Sequence, residues 1–177
     1  KRIAAVNEKL VPVMAIFFIL ASVFALIFNA SKIPAAFSLI FKEAFNFKSV
    51  FGGVSGYSIL SAMRYGVGRG VFSNEAGLGS APIAHAASSA ENPVKQGIWG
   101  IFEVFITTIV ICTMSAVVIL TSGIYTNAYS AGVAPTVSGA ALSSAAFNEA
   151  IPYVGGFGIA LSTVFFALST MLGWAYY

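Results

Sequence analysis

AMRYGVGRGVFSNEAGLGSAPIAHAASS, residues Ala62 to Ser89, is polar and glycine-rich where its surroundings are almost wholly apolar. It holds five glycines between Gly66 and Gly79, and it carries Arg64, Arg69, Asn74, Glu75 and His85. Two readings fit these residues. In one, a membrane-spanning helix breaks near the bilayer midplane, with half-helices over about Gly56–Arg69 and Leu78–Ser89 and an unwound segment from Gly70 to Gly77. In the other, a glycine-rich polar loop joins two spans. A break leaves backbone N–H and C=O groups unpaired, and hydrocarbon cannot satisfy them. It therefore has to face protein, water, an ion or a ligand, and secondary transporters hold their ions and substrates at such breaks.

The chain has 177 residues, of which 58% are apolar and 8% charged. A typical soluble domain is about 25% charged, so this composition belongs to a membrane protein. The net charge of +3 comes from scattered lysines and arginines. No basic patch with interleaved aromatics exists, which excludes a nucleic-acid partner. The single cysteine, Cys112, sits in an apolar run and is predicted to be an inert buried thiol. The chain opens on KRIAAVNEKL and ends on MLGWAYY inside an apolar run. This predicts an internal piece of a longer protein, unable to close a bundle around its own broken helix.

Four spans are predicted. Val11 to Phe28 carries no charge over eighteen residues and, extended to about 10–29, is long enough to cross a bilayer. It is apolar on every face, unlike a soluble core helix. Pro12 falls in its first turn, where the missing N–H costs little. The polar stretch 56–89, broken near 70–77, is the second span. Residues 97–121 form the third, with Glu103 as its one charge, and 153–177 the fourth, with the pairs Ser162/Thr163 and Ser169/Thr170. Between the first two, Ile33, Phe37, Ile40, Phe41, Ala44 and Phe45 share a helical stripe beside Lys42 and Glu43, which suits an interfacial helix over about 33–49. Residues 122–152 read as a long loop with one short helix near 138–150. Lys1, Arg2 and Lys9 place the start on the cytoplasmic side, although Lys32, Lys42 and Lys48 in the first loop pull the other way.

Several chemistries are excluded at once. One histidine and no aspartate cannot build a Ser/His/Asp arrangement, and no metal-ligand set is present beyond what a sodium ion needs. GVGRGV lacks both the Rossmann spacing and a Walker lysine. No enzyme is expected. Arg64, Arg69 and Glu75 are costly inside a span and should face a cavity or pair. Arg69 and Glu75 are predicted to form a structural or gating ion pair, and Arg64 to reach the interface. His85 is predicted to pack or to hydrogen-bond.

GVGRGVFSNEAGLGSAPIAHAAS, Gly66 to Ser88, followed by Pro93 and Gln96-Gly97, closely resembles the alanine/glycine:cation symporters. KRIAAVNEKLVPVMA is similar to the start of that family's fifth span, and the resemblance covers the whole chain. It implies an all-α polytopic membrane protein of the amino-acid transporter fold, built from two inverted five-helix repeats. Residues 1–177 would be spans five to eight of one transporter domain, and the second span the broken sixth helix. The broken first helix and the third helix would lie outside this chain. The implied activity is sodium-coupled symport of small neutral amino acids, alanine or glycine, by alternating access in the cell membrane. Sodium would be the coupling ion, with no other cofactor, and the partners would be the amino acid, sodium, the bilayer and the remaining helices. A channel or a non-transporting scaffold is the competing assignment. A channel needs a repeated filter, and none is visible.

The resemblance also implies a site. Gly70, Val71, Phe72, Ser73 and Asn74 would wall the substrate. Free N–H groups of a half-helix would meet the carboxylate, and free carbonyls of the other half the ammonium or the ion. Gly77 would avoid crowding at the break. Thr170 and Trp174, four apart, share one helical face and would complete the pocket. Ser169 and Thr170 would supply hydroxyl oxygens to sodium. Serines and threonines in helices also bond their own i−4 carbonyls, the plainer expectation for Ser162 and Thr163.

Overall fold

A computed structural model describes residues 2–44, 53–75, 77–86, 88–130 and 137–175. Among them every regular element is a helix. In chain order these are α1 (Arg2–Phe28), a 3-10 turn (Ala30–Lys32), α2 (Ile33–Ala44), α3 (Gly53–Ser73), α4 (Ser80–Ala86), α5 (Pro93–Val104), a π-helical stretch (Phe105–Cys112), α6 (Thr113–Thr121), α7 (Ile124–Ser130), α8 (Ala140–Ala150) and α9 (Gly155–Trp174).

Three helices are long and apolar enough to cross a membrane: Val6–Phe28, Pro93–Thr121 and Gly155–Trp174. The shortest, of 20 residues, reaches ~30 Å at ~1.5 Å per residue, the thickness of a hydrocarbon core. The chain is thus part of a multi-pass membrane protein. The second expected span appears as two helices, α3 and α4, of 21 and 7 residues, and neither is among the three. Glycines and the two arginines dilute the apolar character of α3.

The chain divides into two compact units. The first comprises residues 1–37 and 113–177. Here α1 and α9 pack antiparallel, since Asn7 meets Ser169 and Phe17 approaches Gly158. Ala25, Val118, Phe147, Ala150 and Ile159 are its buried core, with Phe18, Ala21, Leu26 and Ile151 packed around them. Phe18 sits between Phe147 and Phe166, at ring-centroid distances of 6.1 and 6.0 Å. Gly155 permits the α8–α9 approach, because a Cβ there would overlap the Phe147 carbonyl. The second unit, residues 38–112, contains α3, α4, α5 and the π-helical stretch.

Several boundaries differ from those expected. The helix of the first span begins at Arg2, because its polar opening continues the same helix. The third begins at Pro93, where Asn92 caps the helix by accepting from the Val94 N–H at 2.8 Å. The fourth begins at Gly155; Tyr153 lies outside it with φ 70°, 96% exposed. Among the described residues of 122–152 there are two helices, α7 and α8, where one was expected. The helix expected at the interface is present as α2 to Ala44, and its expected end at 45–49 lies outside the described residues. Cys112 is exposed, not buried, at the end of a π-helical stretch in which no residue is buried.

Candidate functional site

Helix α3 continues through Gly70 and ends at Ser73. The Asn74 N–H still reaches the Gly70 carbonyl at 3.0 Å, whereas the Glu75 N–H bonds the Phe72 carbonyl at 3.2 Å. The ladder thus tightens from i−4 to i−3 at the helix end. Glu75 then takes φ 50°, and Gly77 and Gly79 take φ 79° and 86° before α4 starts at Ser80. Three left-handed residues within five positions turn the chain out of the helix. A bulky residue with positive φ is uncommon, and such residues cluster at functional sites.

The described residues between the two helices, 74–75 and 77–79, are non-helical, and 70–73 are not. A glycine inside a helix costs only about 1 kcal/mol relative to alanine, so Gly70 does not stop α3. Crowding is not the constraint at Gly77 either. A Cβ built there meets nothing within 4 Å, and the demand is the positive φ.

Asn74 is a half-buried polar side chain at this end. Its Oδ1 accepts a hydrogen bond from Thr108 Oγ1 at 2.8 Å. Thr108 stands on the π-helical stretch, which packs against α3. The neighbouring Thr107 turns its hydroxyl back to its own helix, 3.0 Å from the Glu103 carbonyl and 3.2 Å from that of Val104. Adjacent threonines thus do different things: one helps satisfy the carbonyls where the π turn begins, and the other reaches the break. Val71, Phe72 and Ser73 are exposed, Phe72 by 70%. Arg69 is exposed on α3 and Glu75 half-buried in the turn, on either side of the helix end.

His85 has the hydrogen-bonding role expected of it. Its Nδ1 lies 2.7 Å from Gln96 Nε2, tying α4 to the first turn of α5, and Gly100 leaves room for the ring. Pro82, His85, Pro93, Gln96 and Gly97 line an open pocket there. None of the predicted substrate residues lines it, and it is a hairpin surface, not the break.

The other predicted residues lie on α9, in the first unit. Ser169 is buried and donates through Oγ to Asn7 Oδ1 at 3.0 Å, while Asn7 Nδ2 donates to the Ser169 carbonyl at 3.1 Å. Thr170 and Trp174 are both exposed on one face, and the Thr170 hydroxyl bonds the Phe166 carbonyl of its own helix at 2.8 Å. Thr163 does the same with Ile159 at 2.9 Å. Ser162 is buried and its hydroxyl finds no partner among the described residues. Asn7 and Thr108 are the polar participants that spacing alone does not reveal. Their partners stand 162 and 34 residues away.

Apolar helices long enough to span, together with a helix that stops at left-handed residues before a second one starts, define an all-α, multi-pass membrane protein with an interrupted helix. The sequence profile described as the sodium:alanine symporter family matches residues 1–177. The chain belongs to that family. It is 41% identical over 172 residues to an uncharacterised transporter, YflA, of Bacillus subtilis, covering 97% of this chain and 36% of that protein. It is 42% identical over 177 residues to the sodium/alanine symporter AgcS of Methanococcus maripaludis, covering 100% of this chain and 37% of that one. The sodium/proton-dependent alanine carrier protein of Bacillus sp. strain PS3 is 36% identical over 185 residues, covering 100% of this chain and 40% of the carrier. The chain thus spans 36 to 40% of the length of these relatives. No solved structure matches it.

Proposed function

We propose that this chain is the central part of a sodium-coupled symporter of small neutral amino acids, alanine or glycine, working by alternating access in the cell membrane. The break between α3 and α4 carries the reading. A zwitterion needs a compensating group for each of its charges, and the two ends of a broken helix supply donors and acceptors without a net charge. Gly70, Val71, Phe72, Ser73 and Asn74 line the last turn of α3 and supply the substrate wall, with Phe72 as a lid. Thr170 and Trp174 contribute from the exposed face of α9. Ser169 lies nearer the ion, and sodium takes neutral oxygen ligands there and from helices outside this chain. Arg69 and Glu75 act as a gating or structural pair around the helix end. The work is binding and release, with no covalent chemistry. Relatives named for alanine and, in Bacillus subtilis, for glutamine support a neutral amino acid as substrate.

The test is uptake of labelled L-alanine into proteoliposomes of the full-length protein. The expected result is saturable uptake driven by an inward sodium gradient, with a weakened alanine affinity in Asn74→Ala. Unsaturable flux of sodium without alanine dependence would make the protein a channel, and no flux of either kind would leave a scaffold.

A further inference from the structure

We infer that Thr108 is a positioning residue for the substrate site: its hydroxyl fixes the amide of Asn74 so that the nitrogen end is presented to a substrate carboxylate. The inference rests on the reading of the break as the amino-acid site, and it adds a residue from the next span that contacts no substrate. An asparagine amide has one acceptor oxygen and a two-donor nitrogen, and a half-turn about its last bond exchanges them. Left alone, Asn74 would offer either end to a ligand, and the oxygen would repel a carboxylate. A threonine hydroxyl can donate to the amide oxygen or accept from the amide nitrogen, and the structure adopts the first arrangement. Thr108 Oγ1 donates to Asn74 Oδ1 at 2.8 Å, so the acceptor end is held against the π-helical stretch and the Nδ2 end is turned from it.

Three features make this arrangement specific. The backbone beneath Asn74 is pinned by its N–H to the Gly70 carbonyl at 3.0 Å, which leaves the side-chain torsions as the freedom to be fixed. Thr108 stands on a π-helical stretch, and π turns are frequent at functional sites. The adjacent Thr107 bonds the Glu103 and Val104 carbonyls and so holds the start of that stretch, while Thr108 is left to reach across to Asn74. Both members of the pair are half-buried, where a hydrogen bond is less exposed to competition from water.

The experiment uses the full-length transporter, with the Kd for labelled L-alanine at saturating sodium and the maximal uptake rate per molecule as readouts. Thr108→Val keeps the shape and removes the donor. Losing one such bond should raise the alanine Kd about five- to tenfold with little change in maximal rate. Thr108→Ser restores the donor and should return the Kd toward wild type. In an Asn74→Ala background, Thr108→Val should add no further loss, because the residue acts only through that amide. A packing role for Thr108 would lower the active fraction and persist in that background, and additive losses would overturn the inference. Thr108→Val with wild-type affinity beside a weakened Asn74→Ala would also overturn it, leaving the break as the site. Unchanged affinity in Asn74→Ala would instead overturn the reading on which the inference rests. Where Thr108→Val does not assemble, Thr108→Ala compared with Thr108→Ser gives the same contrast.

Discussion

Gly77 tests whether the break is set by backbone conformation or by space. Its φ of 79° lies in the left-handed region, and a Cβ added there would meet nothing within 4 Å. Side-chain volume should therefore matter little, and tolerance of positive φ should matter most. For an L-residue the left-handed region costs roughly 1–2 kcal/mol, less for asparagine, and most for a β-branched side chain. A shift of that size changes the balance between the broken and any competing geometry by about 5- to 30-fold. Alanine affinity and thermal stability of the full-length protein are the assays, measured on Gly77→Asn, Gly77→Ala and Gly77→Val. The expected order of retained function is Asn, then Ala, then Val. Crowding would give a different order, with alanine mildest and the two larger side chains alike. Finding Gly77→Ala clearly milder than Gly77→Asn would refute the conformational argument and restore sterics as the reason for the glycine.

Gly155→Ala should lower the melting temperature of the purified protein, since its Cβ would collide with the Phe147 carbonyl, which already accepts the Ile151 N–H at 2.8 Å; overpacking of this kind costs about 1–3 kcal/mol, and an unchanged melt would contradict the close α8–α9 approach. Thr170→Val should leave stability within about 0.5 kcal/mol, because its hydroxyl is exposed and bonds the Phe166 carbonyl of its own helix, and should weaken alanine binding while sparing sodium binding measured without alanine. Ser169→Ala should reduce sodium affinity and also cost about 1 kcal/mol of stability through the lost bond to Asn7 Oδ1. Normal sodium affinity in both variants would remove Ser169 and Thr170 from the ion site. Coupling between ligands is reciprocal, so any loss of sodium binding should weaken alanine binding by the same factor.

Uniform apolarity over Val11–Phe28 and within 97–121 and 153–177 was enough to read three spans, because a helix apolar on every face has no aqueous surface to occupy. The start of the third span is local chemistry as well, with Asn92 and Pro93 suited to a cap and a first turn. The resemblance carried by Gly66–Ser88 needed no coordinates either. Spacing did not place the break. Its glycines mark where a helix is weak, but a helix tolerates glycine at about 1 kcal/mol, so α3 runs through Gly66, Gly68 and Gly70 and yields only where Glu75, Gly77 and Gly79 turn left-handed. The π-helical register over Phe105–Cys112 is likewise invisible in a run of apolar and threonine residues. Tertiary structure alone decided which polar groups meet. Two neighbouring threonines are equivalent in sequence, yet only Thr108 reaches Asn74, 34 residues away, and Asn7 holds Ser169 across 162 residues. A hydrogen bond depends on distances of about 3 Å, and local periodicity fixes such distances only within one helix.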